Sequence, residues 1–178
     1  MKDKKLNIKF DIKLKLFLVV FIITLCILIG LLINNFIGVD VSINSYKSDY
    51  VNFYYDNNFK INSEKDSVVL KSVDNNSTVV INKYEYTESV KKKNKFDLAT
   101  SLSYQVIKDN NDYIEIYNGQ DEKDRYYYLY ENYKTEKQIE VITIFDKDYI
   151  FVVIYQANSN EFDLYTESIS IIIDSIEV

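Results

Sequence analysis

Hydrophobic positions along this chain fall into two regimes. Leu16 to Ile33 reads LFLVVFIITLCILIGLLI, eighteen residues without a charge. Everything after it recurs in short periods of two or of three to four. As a helix the first run is about 27 Å long at 1.5 Å per residue. That is close to the roughly 30 Å hydrocarbon core of a bilayer, and Asn34 to Ile37 extend it. The run is apolar on every face, which suits lipid better than one-sided packing on a soluble core. It predicts a transmembrane helix over 16–37.

The remainder reads as strands and two helices. Asn52 to Tyr55 and Phe59 to Asn62 are short strand-like runs about Asp56-Asn57-Asn58, a turn signal. Ser67 to Val73 and Ser77 to Tyr86 flank Asp74-Asn75-Asn76, residues that tolerate left-handed turns, and predict a hairpin. Leu98, Leu102 and Val106, with Phe96 and Ala99 beside them, form one helical face over 96–108. Asn94 is its predicted N-cap, with Asp97 three residues on.

Tyr113 to Asn118, Arg125 to Tyr133, Lys137 to Asp146 and Tyr149 to Gln156 predict an antiparallel meander joined by short turns. Phe162, Tyr165, Ile169, Ile172 and Ile176 then make a second helical stripe, breaking to a short strand at 175–178. The fold class expected is α+β: an N-terminal transmembrane helix, then one twisted antiparallel sheet packed with two helices.

Charge orients the anchor. Six lysines and two aspartates precede the apolar run, and only Asp40 lies between Asn34 and Ser45. Retained positive charge places residues 1–15 as a cytoplasmic tail and the C-terminal domain outside. Residues 38–49 read as a polar linker and 50–178 as the extracytoplasmic domain. No small-residue cleavage site follows the run, which exceeds a signal peptide's apolar region. Leu25 precedes Cys26 where a lipoprotein signal needs a small residue, and the glutamate and Gly-Phe site of a pilin are missing.

Beyond the tail stand 15 basic and 25 acidic residues, a net of −10. Such a surface argues against nucleic acid as a partner. The single cysteine lies in the anchor, so the domain has no disulfide. An exported domain without disulfides, rich in Asn, Lys, Ile and Tyr, fits a bacterium with AT-rich coding.

The element order, opened by Asn52-Phe53-Tyr54-Tyr55-Asp56-Asn57-Asn58-Phe59-Lys60-Ile61, resembles the PsbP/Mog1-like fold. Such domains open with an aromatic strand, a Tyr-Pro turn and a Trp or Phe starting the next strand. Tyr54, Tyr55 and Phe59 match the aromatic positions, and Asp56 stands where proline is usual. The stretch from Phe162 to Ser175-Ile176 is similar to the closing helix and Ser-Ile ending of small lipoproteins with this fold. The resemblance implies an accessory, adaptor or assembly role, mostly without catalysis, and carries no catalytic residues onto this chain.

Candidate chemistry is sparse. Histidine is absent, removing the commonest general base and metal ligand. Asp109 to Asp112, Asp121-Glu122-Lys123-Asp124 and Asp146-Lys147-Asp148 lack calcium-loop spacing and read as solvated turns. Ser89-Val90-Lys91-Lys92 matches S-x-x-K without the accompanying motifs. No cofactor is expected and no catalytic or metal-binding residue is assigned.

Two groups are candidates for a contact surface. Lys91, Lys92 and Lys93 form the basic cluster outside the tail and could meet anionic polymer or lipid. Tyr126, Tyr128 and Tyr130 belong to an aromatic run that cannot all face one core, so some must offer contact area with a polar tip. The function expected is a membrane-anchored, non-catalytic binding or assembly-accessory protein of the bacterial cell envelope. Its partners would be the membrane, through the N-terminal helix, and an envelope protein or wall polymer. The alternatives are a carboxylate-dependent cell-wall enzyme and a sensory ectodomain acting through a membrane partner.

Overall fold

Nine strands and three α-helices follow Val41 in the computed structural model, which describes residues 42–63 and 67–177. The expected cytoplasmic tail and membrane span lie outside the described residues. Among those described, no helix is long and apolar enough to cross a membrane.

The strands are β1 (Ile43–Tyr46), β2 (Phe53–Asp56), β3 (Phe59–Ser63), β4 (Val68–Ser72), β5 (Ser77–Glu85), β6 (Ile114–Gln120), β7 (Arg125–Asn132), β8 (Lys137–Phe145) and β9 (Tyr149–Asn158). A short helix α1 (Glu88–Lys91) and then α2 (Lys95–Ile107) separate β5 from β6. After β9 a 3₁₀ turn (Phe162–Tyr165) leads into α3 (Thr166–Ser175). The main sheet has seven strands in the order β3-β4-β5-β9-β8-β7-β6, and every pairing in it is antiparallel.

Two departures from the sequence reading concern the first strands. Ile43–Tyr46 lies inside the stretch read as a polar linker, yet pairs with β2 as a separate two-stranded sheet. Asn52–Tyr55 and Phe59–Asn62 therefore fall in two sheets where one was expected. The turn between them carries the chain from the small sheet into the large one. Asp56 makes that turn: its Oδ1 accepts the Asn58 backbone N–H at 2.9 Å, an Asx turn in place of the usual proline. Its other oxygen accepts Asn58 Nδ2 at 3.1 Å and the Ser168 hydroxyl of α3. Asp56 is buried, so this network also clamps the last helix to the first hairpin.

The sheet is covered on both faces. On one, Leu70, Val79, Ile81, Ile142, Phe151, Val153 and Tyr155 pack with Val51, Phe53 and the Ile169, Ile172 and Ile173 stripe of α3. On the other, Tyr126, Tyr128, Tyr130, Val141 and Val152 pack with Ala99 of α2 and Tyr86. Asn94 caps α2, accepting from the Phe96 and Asp97 amides at 2.8 and 3.3 Å. Asn75, in the β4–β5 turn, takes the left-handed φ of 62° expected of a turn asparagine. After α3 an isolated bridge joins Asn52 to Glu177, in the stretch where a short closing strand was expected.

Removing the Asp56 carboxylate strands the Asn58 amide and the Ser168 hydroxyl. Asp56→Ala should cost about 2–3 kcal/mol in denaturant unfolding. Leu164→Ala, at a side chain 72% exposed, should change stability by under about 0.5 kcal/mol.

Candidate functional site

The structure corrects the tyrosine expectation. Tyr126, Tyr128 and Tyr130 alternate along β7 onto the face beneath α2, and all three are buried. Their hydroxyls stay inside the fold. Tyr128 lies 2.7 Å from Thr100 Oγ1, Tyr130 lies 2.9 Å from Ser103 Oγ, and Tyr126 donates to Asp124 at 3.0 Å. Burial and the Asp124 contact push Tyr126 up to about 12. Large tyrosines on the sheet meet small residues on the helix: Ala99 and Ser103 sit at the seam, with Leu98, Leu102 and Val106 on its flanks. Hydroxyl-to-hydroxyl matching of this kind has no hydrophobic period, so the helical spacing alone could not reveal it.

The lysine cluster divides. Lys91 is held inward, 3.0 Å from Glu88, 3.7 Å from Asp148 and 5.8 Å from the Tyr86 ring centre. Lys92 and Lys93 are exposed, and Lys93 edges a shallow depression of about 320 Å³ with Asn94 and Asp97. The acidic turns are structural. Asp121 accepts Arg125 Nε at 2.6 Å, Asp124 pairs with Lys95, and Asp112 accepts Lys134 at 2.6 Å. No group of three or more carboxylates is placed to hold a metal ion among the described residues.

A different region forms a second concavity, between α3 and β7. α3 meets β7 through the Arg125–Asp174 pair, and beyond it β6 is left exposed. The floor carries Arg125 and Tyr127 of β7 with Glu140 and Tyr155; Arg125, Tyr127 and Leu129 are half-buried in alternation with the tyrosines beneath α2. In the strand register Leu129 pairs with Glu140 of β8, and Glu140 with Tyr155 of β9. Ile169, Ser170, Ile173 and Asp174 of α3 make the wall, enclosing about 160 Å³.

The outer rim is β6, an edge strand exposed almost throughout. Ile114, Ile116 and Tyr117 are 55%, 43% and 58% exposed. Tyr117 faces the groove side, being paired with Leu129, and its ring lies over Gly119, where a Cβ would collide with it. The register slips between Glu115 and Tyr117, a bulge that bends this edge.

Electrostatics divide the groove. Arg125 bridges Asp121 and Asp174, each at 2.6 Å, and Lys123 reaches Asp174 at 2.8 Å. The Lys123 and Arg125 contacts hold Asp174 below its ordinary value. Asp121 is raised by its own burial, but the Arg125 and Tyr127 hydrogen bonds outweigh that and keep it low. Glu140 is the opposite case. It accepts no hydrogen bond and forms no ion pair among the described residues, and burial alone pushes it up. Sequence reading missed this residue: in KQIEVITIF a glutamate between Ile139 and Val141 looks like an ordinary outward position of an alternating strand.

No protein-family model matches the sequence, and no curated protein matches it. Among solved structures, the chain is similar to cyanobacterial PsbP (CyanoP) from Synechocystis sp. PCC 6803. The TM-score is 0.59 at 17% identity, over 79% of this chain and 95% of that one. A structure from Bacteroides thetaiotaomicron VPI-5482 matches at TM-score 0.42 and 10% identity, over 75% of this chain and 47% of that one, and carries no weight. The described domain has a PsbP-like fold, α+β with an antiparallel sheet.

Glu140 yields a stability prediction with a definite sign. A carboxyl raised in the folded state binds its proton more tightly there than in the unfolded chain. Its penalty is absent below the ordinary value of 4.5 and grows as pH rises through that window. Glu140→Gln should therefore be at least as stable as the parent at pH 7 and lose that advantage below pH 4.5. Asp121 and Asp174, held low, act in the opposite direction in both proteins. Urea unfolding at pH 7 and pH 4 measures the difference.

Proposed function

We propose that this chain is a membrane-tethered accessory protein of a bacterial envelope, acting by binding through the β6 edge and the groove beside α3. The N-terminal apolar run would hold the domain outside the cytoplasmic membrane, as the lysine asymmetry around it suggests. The observation that carries the binding reading is the exposed apolar group Ile114, Ile116 and Tyr117 on a strand edge left unpaired among the described residues, next to β7, whose Arg125 and Tyr127 line the cavity. Edge strands left open in this way offer main-chain hydrogen bonds to an incoming segment, and exposed apolar side chains add contact area. An envelope protein fits such an edge better than a wall polymer does, since backbone pairing needs a peptide.

A second reading is favoured by one feature. Glu140 and Asp174 line the same cavity with their proton affinities pushed apart, the pattern of an acid–base pair. Against it, Asp174 is committed to both Lys123 and Arg125, leaving it poorly placed to accept a proton or attack a substrate.

A photo-reactive phenylalanine analogue at position 117, activated in protoplasts with a membrane-impermeant amine label present, tests the proposal. A discrete protein adduct at 117, its absence from the same analogue at exposed position 164, and labelling of Lys92 or Lys93 before lysis are expected. Labelling only after lysis would contradict the outside orientation. Equal adducts at both positions would contradict the β6 surface.

A further inference from the structure

The groove beside Glu140 has a chemical bias that points to its ligand. Its charged network is balanced without Glu140: Lys123 and Arg125 meet Asp121 and Asp174. Its hydroxyl protons are directed elsewhere. Tyr127 donates to Asp121 at 3.0 Å, Tyr155 to the Phe162 carbonyl at 2.7 Å, and Ser170 to the Thr166 carbonyl at 2.9 Å. None reaches Glu140, and burial raises its carboxyl with no cation close enough to offset it. A half-buried carboxylate that accepts no hydrogen bond from the described residues keeps its acceptor capacity free for an incoming donor.

The α3 wall carries two aliphatic side chains, Ile169 and Ile173, beside Ser170 and the ion-paired Asp174. A carboxylate beside such a wall complements an alkylammonium group, whose head carries three donors and no acceptor and whose stem packs on apolar surface. A divalent cation fits poorly, because it takes six or more oxygen ligands and the groove offers one uncommitted carboxylate. The volume of about 160 Å³ is near that of an engineered cavity of about 150 Å³ that admits benzene, which is room for a single side chain.

We infer that the Glu140 cavity is a binding site for a primary alkylammonium group, presented as a lysine side chain by a partner protein. The inference deepens the binding reading of the same groove and rests on it. It also gives the domain's net negative charge a complementary partner.

An NMR titration of the isotope-labelled full chain tests it, using the capped tripeptide Ala-Lys-Ala, its norleucine counterpart and spermidine as probes. The lysine peptide should shift the amides of Leu129, Glu140 and Tyr155. The norleucine peptide should bind at least about tenfold more weakly, the size of one charge-assisted hydrogen bond. Glu140→Gln should lose the same factor. Ser170→Met, which narrows the mouth and keeps the carboxylate, should weaken binding as well, with thermal melting showing both variants folded.

Equal binding of the norleucine peptide, parent-like binding by either variant, or no shift at all would overturn the site. Spermidine binding as tightly as the peptide would overturn its assignment to a protein lysine. Position-117 adducts persisting beside a negative titration would remove the ammonium site alone and leave the β6 reading standing.

Discussion

The nine-residue pairing of β5 with β9 is the constraint on which the rest of the domain depends. It runs from Ser77 opposite Ala157 to Glu85 opposite Tyr149, and lies inside the seven-stranded order with β8 on the far side of β9. Strand β9 is apolar on both faces. Phe151, Val153 and Tyr155 feed the core under α3, while Ile150 and Val152 feed the core under α2. A shift of one residue in this pairing would exchange the two sets and spoil both cores at once. Seven strands about 4.8 Å apart make a sheet roughly 29 Å wide, whereas a helix is about 10 Å across. One helix per face cannot cover it. On the α3 side the β1–β2 hairpin fills out the layer, β7 is half covered and β6 is left open. The groove is thus a consequence of layer widths.

Tyrosine allocation follows from the same geometry. Strand β7 sends Tyr126, Tyr128 and Tyr130 to one face and Arg125, Tyr127 and Leu129 to the other. A buried phenol needs a partner for its hydroxyl, and α2 supplies Thr100 and Ser103 where a purely apolar helix would have left two protons stranded. On the groove face the hydroxyls of Tyr127 and Tyr155 are likewise satisfied within the fold. Against that background the bare carboxylate of Glu140 is the feature that local packing does not explain.

Much of this was legible in the sequence, in proportion to how local the signal is. The meander from β6 to β9, the Asn94 cap and the Asn75 turn each rest on residues within a few positions of one another, and the structure has them. β1 was not legible, because Ile43-Asn44-Ser45-Tyr46 is short and polar and its partner lies in β2. The fate of Asp56 depended on Ser168, 112 residues away. Alternation correctly implied that neighbouring tyrosines must part, but it could not say which set α2 would cover. The candidate surface moved from Tyr126, Tyr128 and Tyr130 to β6 for that reason. Exposed Lys92 and Lys93 stay available, on a different part of the domain's chain from the groove residues.

Residue-resolved native-state hydrogen exchange tests most directly whether one shared sheet centre supports both cores while β6 stands open. The amides of Ile81, Val141 and Val153, on three adjacent strands, should be the slowest and should exchange together, at the rate of global unfolding. Those of Ile114 to Tyr117 should exchange far faster. Protection of β6 equal to that of β9, or loss of protection beneath α2 well before loss beneath α3, would contradict a single cooperative sheet with an open edge.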